Sequence, residues 1–215
     1  MGGIAEKMLV DAIDSLVRSD TPLAQAVITS DSRLDVLQRE VEEQAILMIA
    51  RRQPLAVDLR ETISAIRVSG DVERIGDLAK NIAKRALAIA GQYQPQKIVA
   101  GVQHMSDLVL GQLKDVLDAY AQQDAPKALD VWRRDGAIDA LYTSLFRELL
   151  TYMMEDPRNI SFCTHLLFCA KNIERIGDHT TNIAETVHYL VTAETLAIDR
   201  PKNDRSIDAS IEVGA

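Results

Sequence analysis

An all-α fold built as two tandem antiparallel three-helix bundles is what the 215-residue sequence predicts. Three observations carry that expectation. The first is a repeat: Glu73-Arg74-Ile75-Gly76-Asp77 with Asn81-Ile82-Ala83 returns, 101 positions later and at identical internal spacing, as Glu174-Arg175-Ile176-Gly177-Asp178 with Asn182-Ile183-Ala184. Eight identical residues in one frame mark an internal duplication. Fainter echoes at an offset of 104 extend it: Asp20-Thr21-Pro22 answers Asp124-Ala125-Pro126, and Asp31 with Asp35 answers Asp135 with Asp139. The second is punctuation, since breakers cut each copy into three long stretches. The third is composition. Aromatic residues are 4% of the chain against 47% hydrophobic overall, too few for a sandwich or barrel and suited to helices.

The elements follow in order. Residues 4–19 place Ile4, Met8, Ala12, Ile13, Leu16 and Val17 on one helical face. Asp20 and Pro22 suit an N-cap and a first-turn proline. The second helix runs to about Arg52, with Ala26, Val27, Leu34, Leu37, Val41, Ile46 and Ile49 inward by period, and Pro54 stops it. A third is expected over 56–90, with Gly91 as its C-terminal cap. The second copy predicts helices at about 97–122, 125–155 and 158–195. Short connections make successive helices antiparallel. The expected domains are therefore 1–93 and 96–195, with Gln92-Tyr93-Gln94-Pro95 as linker. Residues 196–215 are polar, without periodicity, and read as a flexible tail.

Charge narrows the function. Lys plus Arg is 24 and Asp plus Glu is 32, a net −8, which excludes a general nucleic-acid binder needing a basic field. The acidity is uneven: residues 1–100 hold 13 basic and 14 acidic side chains, residues 101–195 hold 8 and 14. The first bundle is thus the better of the two at approaching an anionic surface. Cys163 and Cys169, six apart on one helix, cannot form a disulfide and read as buried thiols of a reducing compartment. No signal-peptide core follows Met1, and no apolar run approaches the roughly 20 residues of a membrane span. A soluble cytoplasmic protein is expected.

The repeated acids are the candidate chemistry. Glu73, Asp77 and Asn81 are spaced i, i+4, i+8, as are Glu174, Asp178 and Asn182, so each trio forms one stripe. The second helix of each unit offers another pair, Asp31 with Asp35 and Asp135 with Asp139. If the stripes meet, four carboxylates converge in each bundle and need either a basic side chain or a cation. Oxygen ligands suit hard ions such as magnesium, manganese and iron. The plainer reading is a solvated acidic face, with Arg74, Arg175, Arg33 or Arg134 as counter-charges. Gly76 and Gly177, costly in mid-helix, point to close helix approach or room for a partner. Glu185 and His188 form a Glu-x-x-His pair whose counterpart in the first copy is Lys84 and Leu87, so no di-iron set is complete. His165 and His179 read as a core and a surface histidine. No phosphate loop, nucleophile elbow or HExxH occurs.

The doubled Glu-Arg-Ile-Gly-Asp-x-x-x-Asn-Ile-Ala, each copy preceded by a proline-started helix and an Asp-x-x-x-Asp pair, resembles the PhoU family of bacterial phosphate-uptake regulators. Arg51-Arg52-Gln53-Pro54-Leu55-Ala56-Val57-Asp58-Leu59-Arg60 and the opening Met1-Gly2 resemble further family segments, and the likeness covers residues 1–195. It implies two three-helix bundles related by a pseudo-twofold, in a cytoplasmic, often dimeric regulator that is not an enzyme. It implies an adaptor between the ATPase subunit of the phosphate ABC transporter and the phosphate-sensing histidine kinase, reaching the membrane only through these partners. It also implies metal ions, iron or zinc, on stripes that here are Asp31, Asp35, Glu73 and Asp77, then Asp135, Asp139, Glu174 and Asp178, extended by Asn81 and Asn182. Two departures stand out. Family members carry residues before the Met-Gly, so a short first helix is expected. The second copy has Arg158-Asn159-Ile160-Ser161 where the first has its Ala-x-Asp-Leu-Arg segment. The rival from another class is a metal-dependent enzyme with a multinuclear carboxylate site. A helical module whose acids bind nothing is the third reading.

Overall fold

A computed structural model describes residues 1–92 and 96–196. The linker residues Tyr93, Gln94 and Pro95 and the tail from residue 197 onward lie outside the described residues. The elements are α1 (Gly2–Arg18), α2 (Thr21–Arg52), α3 (Ala56–Ala88), α4 (Gln96–Gln122), α5 (Ala125–Glu155) and α6 (Ile160–Thr192), with one 3-10 turn at Pro157–Asn159 before α6. No strand occurs among the described residues.

The duplication is visible in the way helices start and stop. Asp20 Oδ1 accepts from the Leu23 backbone N–H at 2.9 Å, and Asp124 Oδ1 accepts from that of Lys127 at 2.9 Å. Each satisfies an otherwise orphaned donor, and the proline beside it has no donor to lose. The residues just before these caps, Ser19 and Gln123, are both left-handed at φ 53°, so both chain reversals use one geometry. The second hairpin differs: α2 ends on a left-handed Gln53 at φ 48°, whereas α5 ends on Asp156 in extended conformation.

Each copy forms an antiparallel bundle, α1–α2–α3 and α4–α5–α6. The expected picture of two bodies held by a linker is incomplete, because α3 packs along α6 and α1 packs against α4. One continuous hydrophobic core results, running from Leu9, Leu16 and Leu34 through Ile75 and Ile82 to Leu113, Ile138, Ile176 and Ile183. Cys163 and Cys169 are free and buried in it.

Gly76 and Gly177 are both positions of close approach. A Cβ on Gly76 would overlap Leu34 Cδ1, and one on Gly177 would meet Ile138 Cδ1 at 3.1 Å. In each half, α3 or α6 thus presses its glycine onto the preceding helix, beside the acidic rows.

Periodicity misplaces one end of α2. Ile46, expected inward, is 61% exposed, and Ala26 is also exposed. A helix of 17 residues, α1, spans about 25 Å, against about 48 Å for the 32-residue α2. The far end of the α2–α3 hairpin therefore has no third helix over it. Ile46, Leu47, Met48, Leu55, Val57 and Leu59 remain at the surface there.

Candidate functional site

The acidic rows meet in both halves. In the first, Lys80 lies between them: its Nζ is 2.5 Å from Asp31 Oδ2 on α2 and 2.6 Å from Asp77 Oδ1 on α3. Asp31 is buried, at 7% exposure. A buried carboxylate requires such a partner. Burial works against the ammonium charge, but hydrogen bonds and attraction from Asp31 and Asp77 hold Lys80 well above the ordinary lysine value. Burial first, then Asp77, and more weakly Asp35 and Asp31, push the Glu73 carboxyl up, while Arg74 opposes. The Glu73 carboxyl thus feels the charges of both α2 acids as well as that of Asp77. Arg74 adds weaker contacts, 3.7 Å to both Glu73 and Asp77.

In the second half the acids lie deeper. Asp135, Asp139 and Glu174 are 3%, 4% and 6% exposed. Thr181, which stands at the position matched to Lys80, donates its hydroxyl to Asp135 Oδ1 at 3.1 Å. The lysine comes instead from one turn before Glu174 on α6, with Lys171 Nζ 2.9 Å from Glu174 Oε2. Glu174 Oε2 is buried, and this ion pair rather than a well-formed hydrogen bond meets its charge. Burial raises the Glu174 carboxyl; Lys171 opposes, and Asp178 and Asp139 add to the rise.

The two asparagines do not lie with their acids. Asn182 Nδ2 reaches Asp71 Oδ1 on α3 at 3.4 Å, and His179 Nδ1 is 2.8 Å from the same oxygen. Asn81 lines a separate cavity with Lys84, Arg85, His165, Phe168 and Asn172. The expectation of one core and one surface histidine is corrected, because both are half-buried where α3 crosses α6. His165 Nδ1 lies 3.5 Å from Arg85 on α3. Glu185 accepts from Trp132 Nε1 at 3.0 Å, and His188 bonds near the end of its own helix.

The expected counter-charges are corrected in part. Arg74 reaches an acidic row, whereas Arg134 pairs with Asp115 and Asp130 on another face. The lysines do most of the neutralising. Their signal was present as i, i+3 pairs, Asp77 with Lys80 and Lys171 with Glu174. Among the described residues, no three His, Cys, Asp or Glu are gathered so as to hold a metal ion. In the first cluster Lys80 already occupies the place of a cation.

Comparison with known proteins agrees with the repeat. The family model described as "PhoU domain" matches twice, at residues 1–86 and 102–187. A "Phosphate-specific transport system accessory protein PhoU homolog" from Rhizobium meliloti is 58% identical over 204 residues, 95% of this chain and 86% of that protein. A protein of the same description from Caulobacter vibrioides is 54% identical, over 95% of this chain and 89% of its own length. The crystal structure of PhoU from Pseudomonas aeruginosa superposes with a TM-score of 0.87 at 41% identity, covering 90% of this chain and 93% of that one. The phosphate transport system regulatory protein PhoU from Streptococcus pneumoniae gives 0.84 at 28% identity, covering 92% of each.

Proposed function

Because the chain belongs to the PhoU family, we propose that it is an accessory regulator of phosphate uptake and of the phosphate-starvation response. It acts as a cytoplasmic adaptor between the ATPase subunit of a phosphate transporter and a phosphate-sensing histidine kinase. The supporting observation is the match to relatives described as accessory proteins of phosphate-specific transport, at 58% and 54% identity over 95% of the chain. Among the described residues no helix is long and apolar enough to cross a membrane, so contact with the membrane comes through the transporter. The uncovered α2–α3 tip, with Leu55 at 80% exposure inside the 51–60 segment, offers apolar surface of the kind protein partners bury. Rigid helices present such a surface, and a change in transporter state would shift which partner is bound. A homodimer belongs to the same reading.

The test is retention on membranes containing the transporter. The expected result is capture of the ATPase subunit by the whole chain, reduced at least fivefold by Leu55→Asp with Val57→Asp, and no turnover of phosphoesters. Equal capture by the doubly substituted chain would remove the tip from the interface. No capture at all would sink the adaptor reading. The metal-dependent enzyme reading is the weaker one, because Lys80 fills the first cluster.

Metal ions, iron, zinc, manganese or magnesium, belong to this proposal at the second cluster alone. Asp139, Glu174 and Asp178 would hold the ion, hard oxygen donors of the kind such ions take. Elemental analysis after metal loading is expected to show a loss with Asp178→Ala and no change with Asp77→Ala. The opposite pattern would move the site to the first half.

A further inference from the structure

The crossing of α3 and α6 carries two cavities that the duplication relates to each other. The larger, about 820 Å³, has mixed charge: Asp71, Glu73 and Glu185 face Arg67, Arg74 and His179. The smaller, about 420 Å³, is lined by Asn81, Lys84, Arg85, His165, Phe168 and Asn172. A shift of 101 positions turns Asp71 into Asn172, Glu185 into Lys84, Thr186 into Arg85 and Asn182 into Asn81. Two carboxylates of the first cavity have thus become an amide and an ammonium in the second, while the guanidinium of Arg67 gives way to Phe168 and another appears at Arg85. No carboxylate lines the smaller cavity.

These cations are not neutralised elsewhere. Among the described residues, neither Lys84 nor Arg85 forms an ion pair, and the Asn81 and Asn172 side chains make no hydrogen bond. Asp77, one turn before Asn81, is held at 2.6 Å by Lys80. Arg85 lies over the Phe168 ring at 4.3 Å, which fixes the plane of the guanidinium. Burial first and the nearby Arg85 charge second hold His165 below the ordinary histidine value. In a chain of net −8, two cations and three neutral hydrogen-bonding side chains line one open cavity without a carboxylate among them.

We propose that this cavity binds a small tetrahedral oxyanion, either inorganic phosphate or the phosphate group of a monoester. Arg85 and Lys84 supply charge, the guanidinium through paired N–H donors that match two phosphate oxygens. Asn81, Asn172 and His165 supply directional donors from two different helices, an arrangement that suits a tetrahedral ion better than a planar carboxylate. The proposal stands independently of the adaptor reading, since it concerns binding by the isolated chain.

The experiment is calorimetric titration of the whole chain with inorganic phosphate and, separately, with AMP, at fixed pH and ionic strength. Saturable binding at one site per chain is expected for at least one of them. The tighter of the two identifies the source, free ion or monoester. Lys84→Glu and Asn172→Asp, which install the charge pattern of the other cavity, are each expected to weaken binding fivefold or more. Lys84 is exposed, so its replacement leaves the core untouched, and a thermal melt verifies this. Lys7→Glu makes the same charge change on remote α1 and is expected to stay within twofold. No saturable binding of either anion overturns the proposal. So does a loss smaller than fivefold in both cavity variants, or an equal loss with Lys7→Glu.

Discussion

Asp31 and Asp135 occupy matched positions in the two halves, yet Asp31 is met by the ammonium of Lys80 and Asp135 by the hydroxyl of Thr181. The second half has its lysine one turn to the other side of the acids, at Lys171, where the first half has Gly70. The acids therefore kept their frame after duplication while the means of neutralising them diverged. Matched carboxylates are not matched sites. In the first cluster Lys80 bridges Asp31 and Asp77. The second holds three acids at 6% exposure or less, with Lys171 beside Glu174.

Exchanging the lysines tests that comparison most strongly. Lys80→Ala leaves Asp31 buried without its ammonium. Removal of one partner from a buried pair costs about 3–5 kcal/mol. Here the side chains keep 21% and 10% exposure, so about 2–3 kcal/mol is expected in urea unfolding. Lys171→Ala is expected to cost about 1 kcal/mol, since that side chain is 40% exposed. Equal losses would mean the two clusters are energetically alike and would break the distinction.

The glycines give the next largest contrast. Alanine gains up to about 1 kcal/mol over glycine in a helix interior. At Gly177 the new methyl meets Ile138 Cδ1 at 3.1 Å, so a shift of a few tenths of an ångström absorbs it and the net change should stay within about 0.5 kcal/mol. At Gly76 the methyl overlaps Leu34, a fully buried side chain of the core. Overpacking there should exceed the helix gain and leave Gly76→Ala about 1–2 kcal/mol less stable. Thermal melts of the two single variants decide it; a Gly76→Ala at least as stable as the wild type would show that α2 and α3 can separate freely.

The helices and acidic rows were legible because their signals are local. Asp20 with Pro22 and Asp124 with Pro126 mark helix starts, and i, i+4 spacing places Glu73 with Asp77 on one stripe. That the rows of α2 and α3 meet followed from antiparallel packing of consecutive helices. What periodicity could not supply was the presence or absence of a third neighbour, which is why Ile46 was expected inside. Nor could it show α3 lying on α6. A reading of two bodies on a linker hid the Asp71–His179 contact at 2.8 Å and the cationic cavity around Arg85, since each draws residues from both copies. The lysine partners were legible as i, i+3 pairs, although the counter-charges that the sequence reading names by number are arginines.

The smallest effect concerns protons. Burial raises both Glu73 and Glu174, and only the Glu73 side chain keeps substantial exposure, 22%, with Arg74 opposing the rise. A carboxyl whose folded pKa lies above its unfolded value favours the fold while protonated. That contribution is whole below the ordinary glutamate range and is lost as pH rises through the folded value. At neutral pH the ionised Glu174 therefore works against folding, and Glu174→Gln, which keeps the shape without the charge, should stabilise the chain slightly, by less than Lys80→Ala destabilises it. The gain should vanish near pH 4, where the wild-type carboxyl is already protonated. Glu73→Gln should follow the same course with a smaller amplitude. Urea denaturation at pH 4 and pH 7 separates the cases, and a Glu174→Gln variant less stable than the wild type at pH 7 would show that Lys171 outweighs burial and that the second cluster, like the first, is satisfied from within.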